Sequence, residues 1–254
     1  LPISTRYSLF FLVPMRQITP VFKREFLGYF RSPVAYVFLI VFSLATVGCA
    51  FFLGQFFRAN SASLESFFIY LPWLFLFLIP AAGMRLWSEE KRTGTVELLF
   101  TLPITTLEAV VGKFLAAWAF TAIAILLSFP LIFTTAYLGD PDWGVMFSGY
   151  LGAILMAGGY LGICSLTSAL TKNQIISFVI SVLVCFVMAL LGVSVFTGFL
   201  SGYLPVWLVD VISNFSFITH FDAFTKGIVD PKDLAFFLSL IGFTLFLNVV
   251  GLER

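Results

Sequence analysis

Charge is scarce in this sequence. Of 254 residues, 14 are Lys or Arg and 13 are Asp or Glu, so 11% are charged, under half the roughly 25% of an ordinary soluble domain. Hydrophobic residues make up 60%, with phenylalanine alone occurring 33 times. So little polar surface could not cover a water-soluble core of this size. Soluble enzymes, disordered chains and nucleic-acid binders are excluded on that ground, and an all-α polytopic membrane protein is expected. Histidine is rarer still. His220 is the single one, which excludes a multi-histidine metal centre within the chain. Cys49, Cys164 and Cys185 are an odd number of cysteines, all inside apolar stretches. They read as packing residues, not as a disulfide framework or a metal site.

Further absences concern chemistry. There is no H-E-x-x-H, and Gly112-Lys113 is followed by Phe114 without the glycines of a phosphate-binding loop, so the chain is not expected to bind or hydrolyse a nucleotide. No Lys, Arg, Asp or Glu lies near the middle of any expected span, where ion-coupled transporters and voltage sensors place them. A catalytic constellation is missing for the same reason, and a non-catalytic subunit is expected. If the chain moves anything uphill, another subunit must supply the energy. The run Leu9–Val13 ends at Pro14 with no small-residue cleavage site, so no signal peptide is expected; Met15 is a candidate natural start.

What is present is a set of long uncharged intervals, over residues 32–57, 66–84, 114–139, 143–171, 173–209 and 234–252. Each can hold a helix of the roughly 20 residues that cross a bilayer, and helices satisfy their own backbone polar groups. Spans are expected at 34–56, 66–84, 113–138, 145–170, 174–197 and 234–252, in one transmembrane domain covering residues 1–254. Counting lysines and arginines by side assigns eleven (6, 16, 23, 24, 31, 85, 91, 92, 113, 172, 254) to one side and three (58, 226, 232) to the other. The positive-inside rule then places both termini in the cytoplasm.

The fifth interval would reach about 55 Å as a straight helix, nearly twice the hydrocarbon thickness. Gly198, Gly202 and Pro205 predict that its helix ends near residue 198. Residues 202–233 become the largest external segment, with short helices at the outer interface and Asp210, His220, Asp222, Asp230 and Asp233 as its polar groups. At the other end, residues 15–31 form an amphipathic helix on the wheel. Ile18, Phe22, Phe26, Tyr29 and Phe30 share one arc; Arg16, Lys23, Arg24 and Arg31 share the next, and Glu25 and Leu27 are exceptions. Either an interfacial helix that transmits force or a simple positive anchor fits. Two G-x-x-x-G pairs, Gly158/Gly162 and Gly198/Gly202, predict close helix approach, through dimerisation or within the chain. Pro72, Pro80 and Pro130 mark kinks.

The densest polar stretch joins the second and third spans. Glu89, Glu90, Lys91 and Arg92 form a charged rim. Gly94 is read as an N-cap of a short helix over residues 95–101, with Thr95 and Glu97 in its first turn and Pro103 beyond its end. Val96, Leu98, Leu99 and Phe100 make an apolar knob inside that rim, the pattern of a docking surface for a soluble partner. Thr105-Thr106-Leu107-Glu108 is a capping box that opens the next helix.

The run SEEKRTGTVELLFTLPITTLEAVVGKFLAAW resembles the signature of the type-2 ABC transporter permeases. PVFKREFLGYFRSPVAYVF resembles their interfacial helix and first span. ITHFDAFTKGIVDPKDLAFFLSL is similar to the subgroup associated with gliding motility and with copper-enzyme maturation in nitrous oxide reduction. The resemblance covers residues 15–252. It implies a multi-pass permease of the bacterial inner membrane, exporter or mechanotransmitter, working as a homodimer or with a second permease. It also implies ATPase subunits, two copies expected, that carry ATP and Mg while this chain binds no cofactor. The family's coupling role falls on Glu89, Glu90, Gly94, Thr95, Glu97, Leu98 and Leu99, with Lys91 and Arg92 in the same rim; Phe22, Lys23, Arg24, Phe26 and Arg31 belong to the interfacial helix. No substrate-binding residue is implied. A lipidic cargo or an external client protein remain alternatives, as do a membrane scaffold or a passive channel without an ATPase.

Overall fold

The computed structural model describes residues 17–54, 63–97 and 104–253. Among these it is all helix and loop, with no strand. A first helix, α1 (Ile18–Arg31), turns at Ser32 into α2 (Pro33–Gly48), which continues as a π-helical turn, Cys49–Leu53. Then come α3 (Glu65–Gly83), the short α4 (Ser88–Thr93), α5 (Thr106–Leu126), α6 (Pro130–Leu138) and α7 (Trp143–Leu170). The chain finishes with α8 (Gln174–Leu190), α9 (Ser194–Ser201), α10 (Val206–Ser213), α11 (Phe217–Thr225) and α12 (Pro231–Leu252).

Several of the long helices begin at a polar cap, because the first amides of a helix have no internal acceptor. Ser32 caps α2, with Pro33 at its first turn; Asp142 accepts from Gly144 and Val145 N–H; Asn173 and Asp230 cap α8 and α12. The predicted capping box is formed in full at the start of α5, where Thr105 and Glu108 exchange side-chain and backbone bonds.

Five described helices are long and apolar enough to cross a membrane, and six if α8 is taken with its bent continuation α9. The packing decides for six crossings. Ser168 near the end of α7 bonds the backbone that follows α3, and Asn248 near the end of α12 donates to Ser165. Val34 and Ala35 at the start of α2 share a cavity with Ala81 and Ala82 at the end of α3. The start of α2 and the end of α12 therefore lie at one face, which an odd number of crossings would not allow. That face holds the charged segments. At the opposite end Ser216 bonds the Ala189 carbonyl and Ser148 the Phe224 carbonyl.

Two span boundaries differ from those expected. The helix expected over 113–138 starts at Thr106, so Lys113 lies two turns inside α5; the helix also breaks after Leu126 and resumes at Pro130. A charge can sit there because neighbouring elements supply its partners, as shown below. The span expected over 174–197 stops at Leu190, followed by a 68° bend into α9. Gly192 is the cause. A Cβ there would lie 2.3 Å from Ser216 Oγ and 2.7 Å from Thr219 Oγ1, so only a residue without one lets the turn press against α11. The 17 residues of α8 then span about 26 Å, slightly under the hydrocarbon thickness of about 30 Å.

α7 is the central post: 83% of its most apolar stretch is buried, against 17% for α2. Its glycines let aromatic and branched side chains reach its backbone. Gly149 meets the Phe68 ring, Gly152 meets Phe224, and Gly158 and Gly162 meet Ile241 and Thr244 of α12. The first G-x-x-x-G is thus an intrachain contact. Gly198 of the second has open space around it. Pro72 and Pro80 are accommodated inside α3, where the Pro72 carbonyl accepts from Tyr160 Oη at 3.1 Å. The three cysteines are free thiols, with Cys164 and Cys185 buried.

This geometry separates two glycine substitutions. Gly149→Leu drives side-chain atoms into the fully buried Phe68 ring and is expected to destabilise by about 1–3 kcal/mol or more, the usual cost of overpacking. Gly198→Ala meets nothing and should be neutral or stabilising by up to roughly 1 kcal/mol. Thermal unfolding of the two variants in detergent checks the contrast, and equal midpoints would refute it.

Candidate functional site

The charged end is built around the short turn after α3. Its backbone is held by Ser168 of α7, whose Oγ accepts from the N–H groups of Trp87 and Ser88, both at 3.0 Å, and donates to the Met84 carbonyl at 2.9 Å. From that anchor α4 projects. Its acidic residues, Glu89 and Glu90, occupy the first turn and its basic residues, Lys91 and Arg92, the last, the polarity that suits the helix dipole. Lys91 Nζ donates to the Ala169 carbonyl, so α4 is tied to α7 at both ends.

Lys113 closes the arrangement from α5. Its ammonium donates to Glu90 Oε1 at 2.6 Å, lies 3.4 Å from Glu25 Oε1 of α1, and sits 5.1 Å from the centre of the Trp87 ring. The Lys113 side chain is 3% exposed. Two carboxylates and an aromatic face replace the water it has lost. Burial raises the Glu25 carboxyl, but the Lys113 ammonium and the Arg24 guanidinium, 2.7 Å away, together outweigh it and hold the carboxyl below the usual range. Glu25, the exception on the wheel of α1, is thus the residue that turns α1 toward α5.

Three further contacts fix α1 along α5. Glu108 Oε1 accepts from Gln17 N–H at 3.1 Å while Oε2 accepts from Thr105 N–H at 3.0 Å. Val21 packs on Gly112, where an added Cβ would come within 2.8 Å of it. Tyr29 stacks on Phe120 with ring centres 4.8 Å apart. Phe22, Phe26 and Phe30 form a neighbouring row at 5.4 and 5.2 Å, half-buried, with Lys23, Arg24 and Arg31 exposed beside it.

The predicted coupling residues therefore divide. Glu90 and Lys91 are anchors bound to α5 and α7, whereas Glu89, Arg92, Gly94, Thr95 and Glu97 are exposed. Gly94 has a different task from the N-cap expected of it. At φ 74° it is the left-handed C-cap of α4, a conformation that favours glycine. Residues 95–97 are again helical; Leu98, Leu99, Phe100 and the rest of the helix expected over 95–101 lie outside the described residues. Trp87, Ser168, Glu25 and Lys113 were not singled out by pattern. The signals were a lone acid on a basic helix and a lysine followed by an uninterrupted apolar run.

At the opposite end Asp222 pairs with Lys226. His220 faces Asp233 through Nδ1 at 2.6 Å and the Asn214 carbonyl through Nε2 at 2.8 Å, and its ring stacks on Phe236. It clamps α11 to α12. Among the described residues no group of His, Cys, Asp or Glu could hold a metal ion.

A polytopic helical bundle with a charged projection at one face defines a multi-pass membrane protein. The family described as "ABC-2 family transporter protein" matches residues 19–252, and the chain belongs to that family. It is accordingly a membrane permease component of an ABC transporter, a class that is generally non-catalytic and pairs with an ABC ATPase subunit. No curated protein matches the chain.

Removing the buried ammonium should cost more than removing either partner acid. Lys113→Met leaves Glu25 and Glu90 facing each other without compensation, and a cycle with Glu90→Gln should return a coupling of about 0.5–3 kcal/mol. Unfolding in detergent of the two single variants and the double variant measures it. Additive effects would show that the pair is not an energetic unit.

Proposed function

We propose that the chain is the membrane half of an ABC exporter or mechanotransmitter in a bacterial inner membrane, with its charged end in the cytoplasm. The order of the spans assigns eleven of the fourteen lysines and arginines in the sequence to that side, in keeping with the positive-inside rule. Two ATPase subunits, carrying ATP and Mg, dock against the rim Glu89–Arg92 and the segment from Gly94 through Leu99. The permease pairs with a second copy or a second permease. The resemblance of ITHFDAFTKGIVDPKDLAFFLSL to the gliding-motility and copper-maturation subgroup supports assigning the permease to that subgroup.

The observation that carries this reading is the ion cluster at Lys113. Because Glu90 of α4, Lys113 of α5 and Glu25 of α1 share one buried charge contact, α4 cannot be displaced without moving α1 and α5. An ATPase that binds the segment differently in its two nucleotide states would shift those helices by that difference in affinity. Coupling energies of this kind are about 1–3 kcal/mol, or roughly 5–150-fold in an equilibrium. At the outer end the exposed Val206, Trp207, Val211 and Phe215 form the surface offered to an external client or a hydrophobic cargo.

Leu98→Asp with Leu99→Asp tests the docking surface. The variant should insert normally, fail to capture the ATPase in a pull-down, and lose stimulated ATP hydrolysis. Undiminished capture of the ATPase would sink the assignment.

A further inference from the structure

Between α1, the first turns of α2 and the end of α3 lies a cavity of about 670 Å³, within the roughly 300–1,000 Å³ usual for small-molecule sites. Its walls change character along its length. Val37, Phe38, Val41, Leu78 and Phe120 form the deep part; Glu25, Arg85, Glu89, Glu90 and Lys113 form the part at the charged end. Val34, Val37 and Val41 are 52%, 59% and 46% exposed, so the apolar wall opens sideways, where the bilayer lies. A wholly polar ligand would waste the deep wall, and a wholly apolar one would strand the charges. The shape calls for an amphiphile with its head at the charged end.

The charges specify the head. Lys113 is already engaged by Glu90 and Glu25. Arg85 and Glu89, one helical turn apart at the mouth, have no side-chain partner among the described residues. Glu90 Oε2 is a buried oxygen without a hydrogen-bond donor, a state that calls for one. Three carboxylates face the two cations of the lining and Arg24, which pairs with Glu25, so the charges there balance. One free cation, one free anion and an acceptor oxygen in need of a donor complement a phosphate joined to a primary ammonium.

We propose that this cavity binds a zwitterionic aminophospholipid from the leaflet at the charged end, phosphate toward Arg85 and ammonium toward Glu89 and Glu90, with an acyl chain along Val37 and Val41. The site shares Glu89 and Glu90 with the rim assigned to ATPase docking, but lipid binding by the isolated chain does not depend on that assignment. Such a lipid would wedge α1, one of the elements that the Lys113 cluster connects, against α2.

The delipidated full-length chain in detergent is incubated with phosphatidylethanolamine, phosphatidylcholine or phosphatidylglycerol, and bound lipid is read by native mass spectrometry. Phosphatidylethanolamine should be retained about tenfold better than the other two, the effect of one charge-assisted hydrogen bond. Phosphatidylcholine has no N–H to donate, and phosphatidylglycerol carries no cation. Both side chains are exposed, so helix content should not change; Glu89→Gln should abolish the preference, and Arg85→Met should weaken retention of all three lipids. Ala82→Trp fills the cavity and should exclude the lipid. Equal retention of the three lipids, or an unchanged preference in Glu89→Gln, would overturn the proposal. So would retention of chain-free glycerophosphoethanolamine as strong as that of the whole lipid, since the apolar wall would then do nothing.

Discussion

Lys113 holds its ammonium almost out of reach of water, between the carboxylates of Glu90 and Glu25 and over the Trp87 ring, and the arrangement of the charged end follows from that placement. Withdrawing an ion from water costs several kcal/mol after relaxation, on the order of a whole domain's margin of stability, unless partners compensate it. The partners come from two other segments, α1 and the turn before α4. α1 must therefore lie along α5 with Glu25 inward, and α4 must project where Glu90 can reach. Once Glu25 faces inward, Phe22, Phe26 and Phe30 are rotated to the flank, which leaves them beside Lys23, Arg24 and Arg31. One charge thus sets the orientation of the interfacial helix, the exit direction of α4 and the depth at which α5 begins.

The rest of the bundle is organised by the opposite principle, the absence of side chains. In a bilayer no hydrophobic force draws one apolar helix to another, so close packing and internal hydrogen bonds must hold them. α7 provides both. Its glycines admit Phe68, Phe224, Phe217, Ile241 and Thr244 to van der Waals contact with its backbone, and its Ser165 and Ser168 bond to α12 and to the turn after α3. Ser168 is where the two principles meet. The same hydroxyl that completes the packed post also holds the backbone from which the charged projection leaves.

Composition and charge spacing were enough to read the membrane class, the six crossings and the capped start of α5, because these depend on local rules: span length, cap chemistry and the distribution of Lys and Arg. What escaped was every feature that depends on a partner distant in sequence. Lys113 was placed at a span edge because hydropathy treats an isolated charge as a boundary; its two acids lie 88 and 23 residues away in the chain. Glu25 looked like an error on the wheel for the same reason. The early end of α8 escaped because Gly192 matters only through Ser216 and Thr219, which approach from α11. Gly94 was recognised as a punctuation mark but assigned to the wrong helix, since a glycine beside a charged run fits the end of one helix as well as the start of the next.

The distribution of burial then says which helices are able to move. α7 is enclosed on nearly all sides, and displacing it would disrupt contacts with α3, α5, α8, α11 and α12 together. α2 is enclosed by little of this chain, and α1 touches chiefly α5 and α2. A push arriving through α4 meets a fixed post on one side, through Ser168 and Lys91, and a lightly held pair of helices on the other, through Lys113 and Glu25. Displacement follows the smaller resistance. Under the proposed coupling, α4 acts as a lever with its fulcrum at the end of α7 and its load at α1. The cavity between α1, α2 and α3 lies in the path of that load, and its volume must change as the angle between α1 and α2 changes. A molecule filling it would oppose closure by its own compressibility, so the material in that cavity sets how far a given push can move the first span.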